Sequence, residues 1–183
     1  MKIFLPLVLI LASLTLTACY DERAASKPQT SVTRIDLNKY IGTWYEIARF
    51  DAFFQKDCVA VTAEYQKISD DKISVVNTCR LKTIDGEIKQ ATGTARIPDP
   101  AKPAQLKVHF DQFGANFFEG DYWVIALDHK HYQWAVVSEE RGRYLWILSR
   151  TPHMNNKTYN NIVRNLNAKG IQTKFLQKTE QGK

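Results

Sequence analysis

Short apolar-rich runs separated by turn-forming residues make up most of this chain, and in places apolar and polar residues alternate with a period of two. The clearest case is residues 105–111. Leu106, Val108 and Phe110 fall on one side, and Lys107, His109 and Asp111 on the other. That pattern gives a β-strand one apolar and one wet face. Further short strands, set off by turn signals, are expected over residues 43–50, 59–67, 72–80, 87–97, 121–127, 132–138 and 143–149. Turn-forming residues separate them: Ser69-Asp70-Asp71, Asp85-Gly86, the prolines at 98, 100 and 103, a loop from Gly114 to Gly120, Asp128 to His131, and Glu139 to Gly142. Short strands at regular spacing predict a barrel or a sandwich. One stretch keeps helical spacing instead, with Tyr159, Ile162, Val163 and Leu166 on one side, Asn155 as cap and Gly170 as stop. Phe175 and Leu176 are expected in a final short strand. Antiparallel strands followed by one amphipathic helix predict an all-β domain over residues 34–183, with the helix packed outside the barrel.

The N-terminus departs from this alternation. Lys2 precedes an apolar run over residues 3–16, which is short for a membrane span and ends in Leu16-Thr17-Ala18-Cys19. A cysteine after two small residues predicts a lipoprotein signal over 1–18 and lipidation of Cys19. An ordinary signal peptide with an accidental cysteine is the alternative. Residues 19–33, rich in charge, serine and glutamine, are expected as a disordered lipidated tether. Export changes the reading of Cys58 and Cys79, because disulfides persist outside the cytoplasm. They flank the turn at residues 69–71, slightly out of register, and a bulge would close the offset. A disulfide is favoured over two free thiols.

Net charge is +6 for the whole chain and +5 once Lys2 leaves with the signal. The basic residues are scattered among acids, without the clustering that a nucleic-acid groove needs. Catalytic motifs are missing: there is no G-x-S-x-G, H-E-x-x-H, phosphate loop or C-x-x-C-H. His129 and His131 share a turn with Asp128 but have no third ligand nearby, so no metal site and no cofactor are expected. Glu46, alternating with Trp44 and Ala48, is expected as a partly buried carboxylate, and with Asn77 it keeps an enzymatic alternative open.

Three segments carry a family resemblance. Gly42-Thr43-Trp44-Tyr45-Glu46-Ile47-Ala48-Arg49, just after Leu37-Asn38-Lys39-Tyr40-Ile41, resembles the first lipocalin signature. Gly120-Asp121-Tyr122 resembles the second, and Tyr144-Leu145-Trp146-Ile147-Leu148-Ser149-Arg150-Thr151-Pro152 the third. The match is close to the bacterial lipocalins of outer-membrane lipoprotein type and to their relative apolipoprotein D. It implies an eight-stranded antiparallel up-and-down barrel closed at one end by Trp44 and Arg150, the guanidinium stacking on the indole. It also implies that Tyr65, Asn77, Phe110, Trp123 and Trp146 line a cavity. Strand alternation adds Leu106, Val108 and Ile125 to that inward set. Asn77 would be the polar handle among them. Ala91, Gly93 and Ala95 alternate on one face, either making room for ligand or admitting the helix. The implied cargo is a fatty acid such as palmitate, or a lysophospholipid. It would be stored or transported by a protein facing the periplasm from the outer membrane. Phe113, Phe117 and Phe118 mark the barrel mouth, a membrane contact or a satellite core, with Phe117 and Phe118 as the candidate homodimer contact. The alternatives are an enzyme acting on a lipid or pigment within the same cavity, and a ligand-free envelope interaction protein with a filled barrel.

Overall fold

The computed structural model describes residues 22–111 and 119–182. Cys19, the signal segment and Phe113, Phe117 and Phe118 lie outside the described residues. A four-residue helix, α1 (Leu37–Tyr40), leads into strands β1 (Gly42–Arg49), β2 (Cys58–Lys67), β3 (Lys72–Leu81), β4 (Ile88–Arg96), β5 (Gln105–Phe110), β6 (Gly120–Leu127), β7 (Trp134–Ser138) and β8 (Leu145–Ser149). Helix α2 (Asn156–Ala168) and a two-residue strand β9 (Gln177–Lys178) follow.

Every strand from β1 to β8 pairs antiparallel with the next, and β8 returns to β1, pairing Tyr45 with Ser149 and Arg49 with Trp146. The eight strands therefore close on themselves, which removes the exposed edges of an open sheet. The closure between β1 and β2 is partial. Gly42 to Tyr45 pair with Tyr65 to Thr62, and beyond that the two strands part. Residues 177–181 fill the gap. β9 pairs with Ala48 and Arg49, Thr179 N donates to the Ile47 carbonyl at 3.0 Å, and Ala60 N donates to the Glu180 carbonyl at 2.7 Å. The Gln181 amide bridges the two sides, donating to the carbonyls of Glu46 at 2.7 Å and Val61 at 3.0 Å. This corrects the expectation that Phe175 and Leu176 form the last strand. Phe175 ends a single helical turn over Thr173–Phe175 and packs edge-on against Phe50, with ring centroids 6.4 Å apart.

Two features resolve alternatives left by the sequence. A register shift between Val59 and Thr62, with Ala60 at φ +47°, is the bulge that lets Cys58 meet Cys79, and the two form a disulfide with Cα atoms 5.5 Å apart. On β4 the stripe Ala91, Gly93 and Ala95 pairs with Asn77, Val75 and Ile73. Ile73, Val75 and Ala95 belong to the interior cluster, so the stripe faces into the barrel. A Cβ on Gly93 would stand 2.1 Å from the His109 carbonyl oxygen, so close approach of β4 to β5 requires glycine there.

Apolar residues form two layers. One fills the barrel's lower interior, around Trp44, Tyr65, Leu106, Val124 and Leu148. The other lies between the wall and α2, where Ile162 and Leu166 meet Ile125, Val136, Leu145 and Ile147. The Asn155 side chain accepts from Thr158 N at 2.8 Å to cap α2, and Gly170 at φ +80° follows its end. The disordered tether expected over residues 19–33 is corrected for its described part. Ala25, Ser26, Gln29 and Val32 donate backbone hydrogen bonds to Arg141, Gly170, Glu140 and Val124, and Gln29 is buried. A polar segment can dock in this way because neighbouring loop carbonyls offer its amides partners.

Candidate functional site: a barrel closed at one end

The bottom of the barrel is built where α1 meets the start of β1. Asp36 caps the helical turn, its carboxylate accepting from Asn38 N at 3.0 Å. Trp44, fully buried, donates from its indole N–H to the Tyr40 carbonyl at 2.8 Å. The Arg150 guanidinium lies 3.8 Å from the Trp44 ring. Its Nη1 donates to the Thr43 carbonyl at 2.9 Å, and its Nη2 to those of Lys39 at 2.7 Å and Ile41 at 2.9 Å. One cation thus ties the end of β8 to the carbonyls around α1 and lies over the indole.

Above Trp44 stand three tyrosines. Tyr40 stacks on Tyr65, with centroids 5.7 Å apart. The Tyr122 hydroxyl lies 2.8 Å from that of Tyr40 and 2.9 Å from that of Tyr65. Three O–H protons serve two contacts, so one remains to donate elsewhere. Desolvation pushes all three phenols up: Tyr65 to about 12, and Tyr40 and Tyr122 well above the ordinary value. The cluster consists of neutral donors.

The inward set shows a gradient. Trp44, Tyr65, Ile73, Val75, Ala95, Leu106 and Val124 are buried, whereas Ala63, Asn77, Ala91, Val108, Phe110, Tyr122 and Trp146 are only partly buried. Asn77, Ala91, Phe110 and Trp146 of the partly buried group lie toward the end opposite Arg150. Within the described residues the Asn77 amide has no hydrogen-bond partner. Near the rim, Trp146 donates from its indole N–H to Gln55 Oε1 at 2.7 Å, and Gln55 Nε2 donates to Glu46 Oε2 at 2.9 Å. Glu46 is ion-paired with Arg49 at 2.6 Å and also accepts from the Thr179 hydroxyl. Its carboxylate is occupied on both oxygens. Phe54 packs against Tyr144 and Trp146, and Phe53 stands 81% exposed on the lip.

Six residues of the expected lining, Tyr65, Asn77, Leu106, Val108, Phe110 and Trp146, lie on the inward face. Trp123 and Ile125 do not, and this is a correction. β6 pairs Tyr122 with Leu106 and Trp123 with Gln105, so Tyr122 shares the inward face and Trp123 turns outward. Ile125 follows Trp123 outward, under α2, and a register shift between Val124 and Ala126 keeps Ala126 on that side and returns Leu127 to the interior. Both faces of β6 are apolar, so alternation could not choose between them. Tyr40, Arg49, Gln55 and Tyr122 escaped the sequence reading. For Tyr122 the available signal was its cross-strand pairing with Leu106. Gln55 ends a single 3-10 turn, Phe53–Gln55, which is too short to carry a periodicity.

A family profile described as a lipocalin-like domain matches residues 35–181. The outer membrane lipoprotein Blc of Vibrio cholerae is 38% identical over 168 residues, covering 92% of this chain and 94% of that protein. Apolipoprotein D of Macaca fascicularis is 32% identical, covering 80% and 77% respectively. Among solved structures, insecticyanin from Manduca sexta superposes with a TM-score of 0.70 at 20% identity, covering 87% of this chain and 88% of that one. With eight strands closed into a barrel, an arginine–tryptophan plug beneath them and this extent of shared sequence, the chain belongs to the lipocalin-like family.

Proposed function

We propose that this protein is a membrane-tethered carrier that holds a long-chain amphiphile, a fatty acid or a lysophospholipid, inside its barrel. The observation that carries the reading is the one-ended vessel. Trp44, Tyr40 and Arg150 fill the bottom, while inward residues nearer the other end keep access to solvent. Apolar walls of Val108, Phe110, Ala63 and Ala91 suit an acyl chain, with roughly 0.8 kcal/mol gained per buried methylene. Two polar handles fit the ligand's oxygens: the unpartnered Asn77 amide and the surplus hydroxyl proton of the tyrosine cluster.

Relatives named as outer membrane lipoproteins support a place in the cell envelope. In this proposal Cys19 carries the lipid, the signal is removed before it, and the domain faces the periplasm from the outer membrane. A homodimer through Phe117 and Phe118 belongs to the same proposal, and sedimentation with and without lysophospholipid tests it. The central experiment titrates delipidated protein with palmitate and with lysophosphatidylcholine while following tryptophan emission. Saturable binding of either is expected, and Asn77→Ala should weaken it about threefold to tenfold. The absence of any saturable response would overturn the carrier reading.

A further inference from the structure

We infer that the open end of the barrel is held against a lipid bilayer by the segment preceding α1. The inference rests on the proposed lipid anchor at Cys19. Its own support is the path of residues 23–36, which run down the outside of the wall from rim to floor. Arg23 Nη1 donates to the Asp51 carbonyl at 2.9 Å, in the loop leaving the top of β1. Ala25 N donates to the Arg141 carbonyl and Gln29 N to the Glu140 carbonyl, both at 2.7 Å, in the loop between β7 and β8. Ser26 N donates to the Gly170 carbonyl at 3.1 Å, beyond the end of α2. All four acceptors stand at the open end, away from Arg150. Val32 N then meets the Val124 carbonyl at 2.8 Å, midway along β6, and α1 follows at the floor. Arg23, at the start of the described chain, therefore lies at the rim.

The length of chain between Cys19 and Arg23 decides the orientation. Cys19 and Arg23 are four residues apart, which spans at most about 14 Å. The wall is longer, since the eight residues of β1 rise about 26 Å. An anchor at Cys19 reaches the mouth and falls short of the closed end. The lip at that mouth presents apolar side chains among charged ones: Phe53 is 81% exposed, Phe54 37% and Ile88 53%, beside exposed Lys56, Lys82 and Lys89. A bilayer surface satisfies both the short leash and these side chains, and cargo would pass between bilayer and barrel with little exposure of its acyl chain to water.

The test uses the full-length, lipid-modified protein in phosphatidylethanolamine–phosphatidylglycerol vesicles carrying brominated acyl chains. Two variants place a reporter at opposite ends, Phe53→Trp on the lip and Ile68→Trp in the exposed turn after β2 at the closed end. The added emission of F53W should be quenched about twofold or more, and that of I68W left unchanged. Quenching of I68W, or of neither variant while the protein floats with the vesicles, would overturn the orientation and leave the anchor standing. Protein that stays out of the vesicle fraction would overturn the anchor and the orientation together. A flexible Gly-Ser spacer of about a dozen residues after Asp21 should relax the quenching of F53W without releasing the protein. Undiminished quenching with the spacer would overturn the short leash as its cause.

Discussion

Arg150 does work at the floor that another cation could not copy. A planar guanidinium can lie over the Trp44 ring while its edge donors reach the Thr43, Lys39 and Ile41 carbonyls. Lysine would keep the charge and lose the fork, leaving part-buried carbonyls without donors. Arg150→Lys should cost about 2 kcal/mol in urea unfolding with little change in slope. The tyrosines make a prediction of opposite character. Burial holds Tyr65 near 12, with Tyr40 and Tyr122 also raised, while the phenols of an unfolded chain ionise near 10. The fold thus favours the protonated phenols. The stability they contribute is complete below pH 10 and is lost as pH climbs through about 12. Ultraviolet titration should show these phenols ionising together with unfolding, after the exposed ones. Independent ionisation of all tyrosines near pH 10 in folded protein would contradict the buried cluster. Trp44 and Arg150 were legible in the sequence because a family motif marks them. The tyrosine cluster was not, because it joins α1, β2 and β6, which only tertiary structure brings together.

At the level of elements, strands were readable wherever one face was polar. β5 has lysine and histidine on one side and leucine, valine and phenylalanine on the other, and its inward set followed from alternation alone. β6 runs Tyr-Trp-Val-Ile-Ala-Leu and is apolar on both sides, one side lining the barrel and the other covered by α2. Its phase was set by pairing with β5 and by the shift at Val124–Ala126, neither visible in one strand. The two tryptophans should therefore separate in experiment. Trp146→Phe is expected to remove most of the emission change on lipid binding and to break the hydrogen bond to Gln55. Trp123→Phe should leave both affinity and signal amplitude nearly intact, with a loss of about 1 kcal/mol in stability from the layer under α2. Loss of lipid affinity in W123F at unchanged stability would reverse this assignment. The docked residues 25–32 were misjudged for a related reason. Their composition offers little to bury, but their backbone amides find acceptors in loops far away in sequence.

For the molecule as a whole, the division of labour among strands determines what the vessel can hold. Large side chains plug the bottom and ring the lip. Over the middle of β4 the inward positions shrink to Ala91, Gly93 and Ala95, opposite Asn77, Val75 and Ile73. In the carrier proposed above, that narrow band of small side chains would gauge the cargo. Each carbon added to the wall there should displace roughly one carbon of guest, since filled apolar interiors tolerate neither voids nor crowding. Ala91→Leu ought to move the preferred acyl chain about three carbons shorter across a graded series of fatty acids, leaving thermal unfolding within a few degrees of the parent. An unshifted preference would mean that the bore is measured elsewhere. A shifted preference would make chain-length selectivity a matter of how little a single strand carries, a setting that point substitutions could change in either direction.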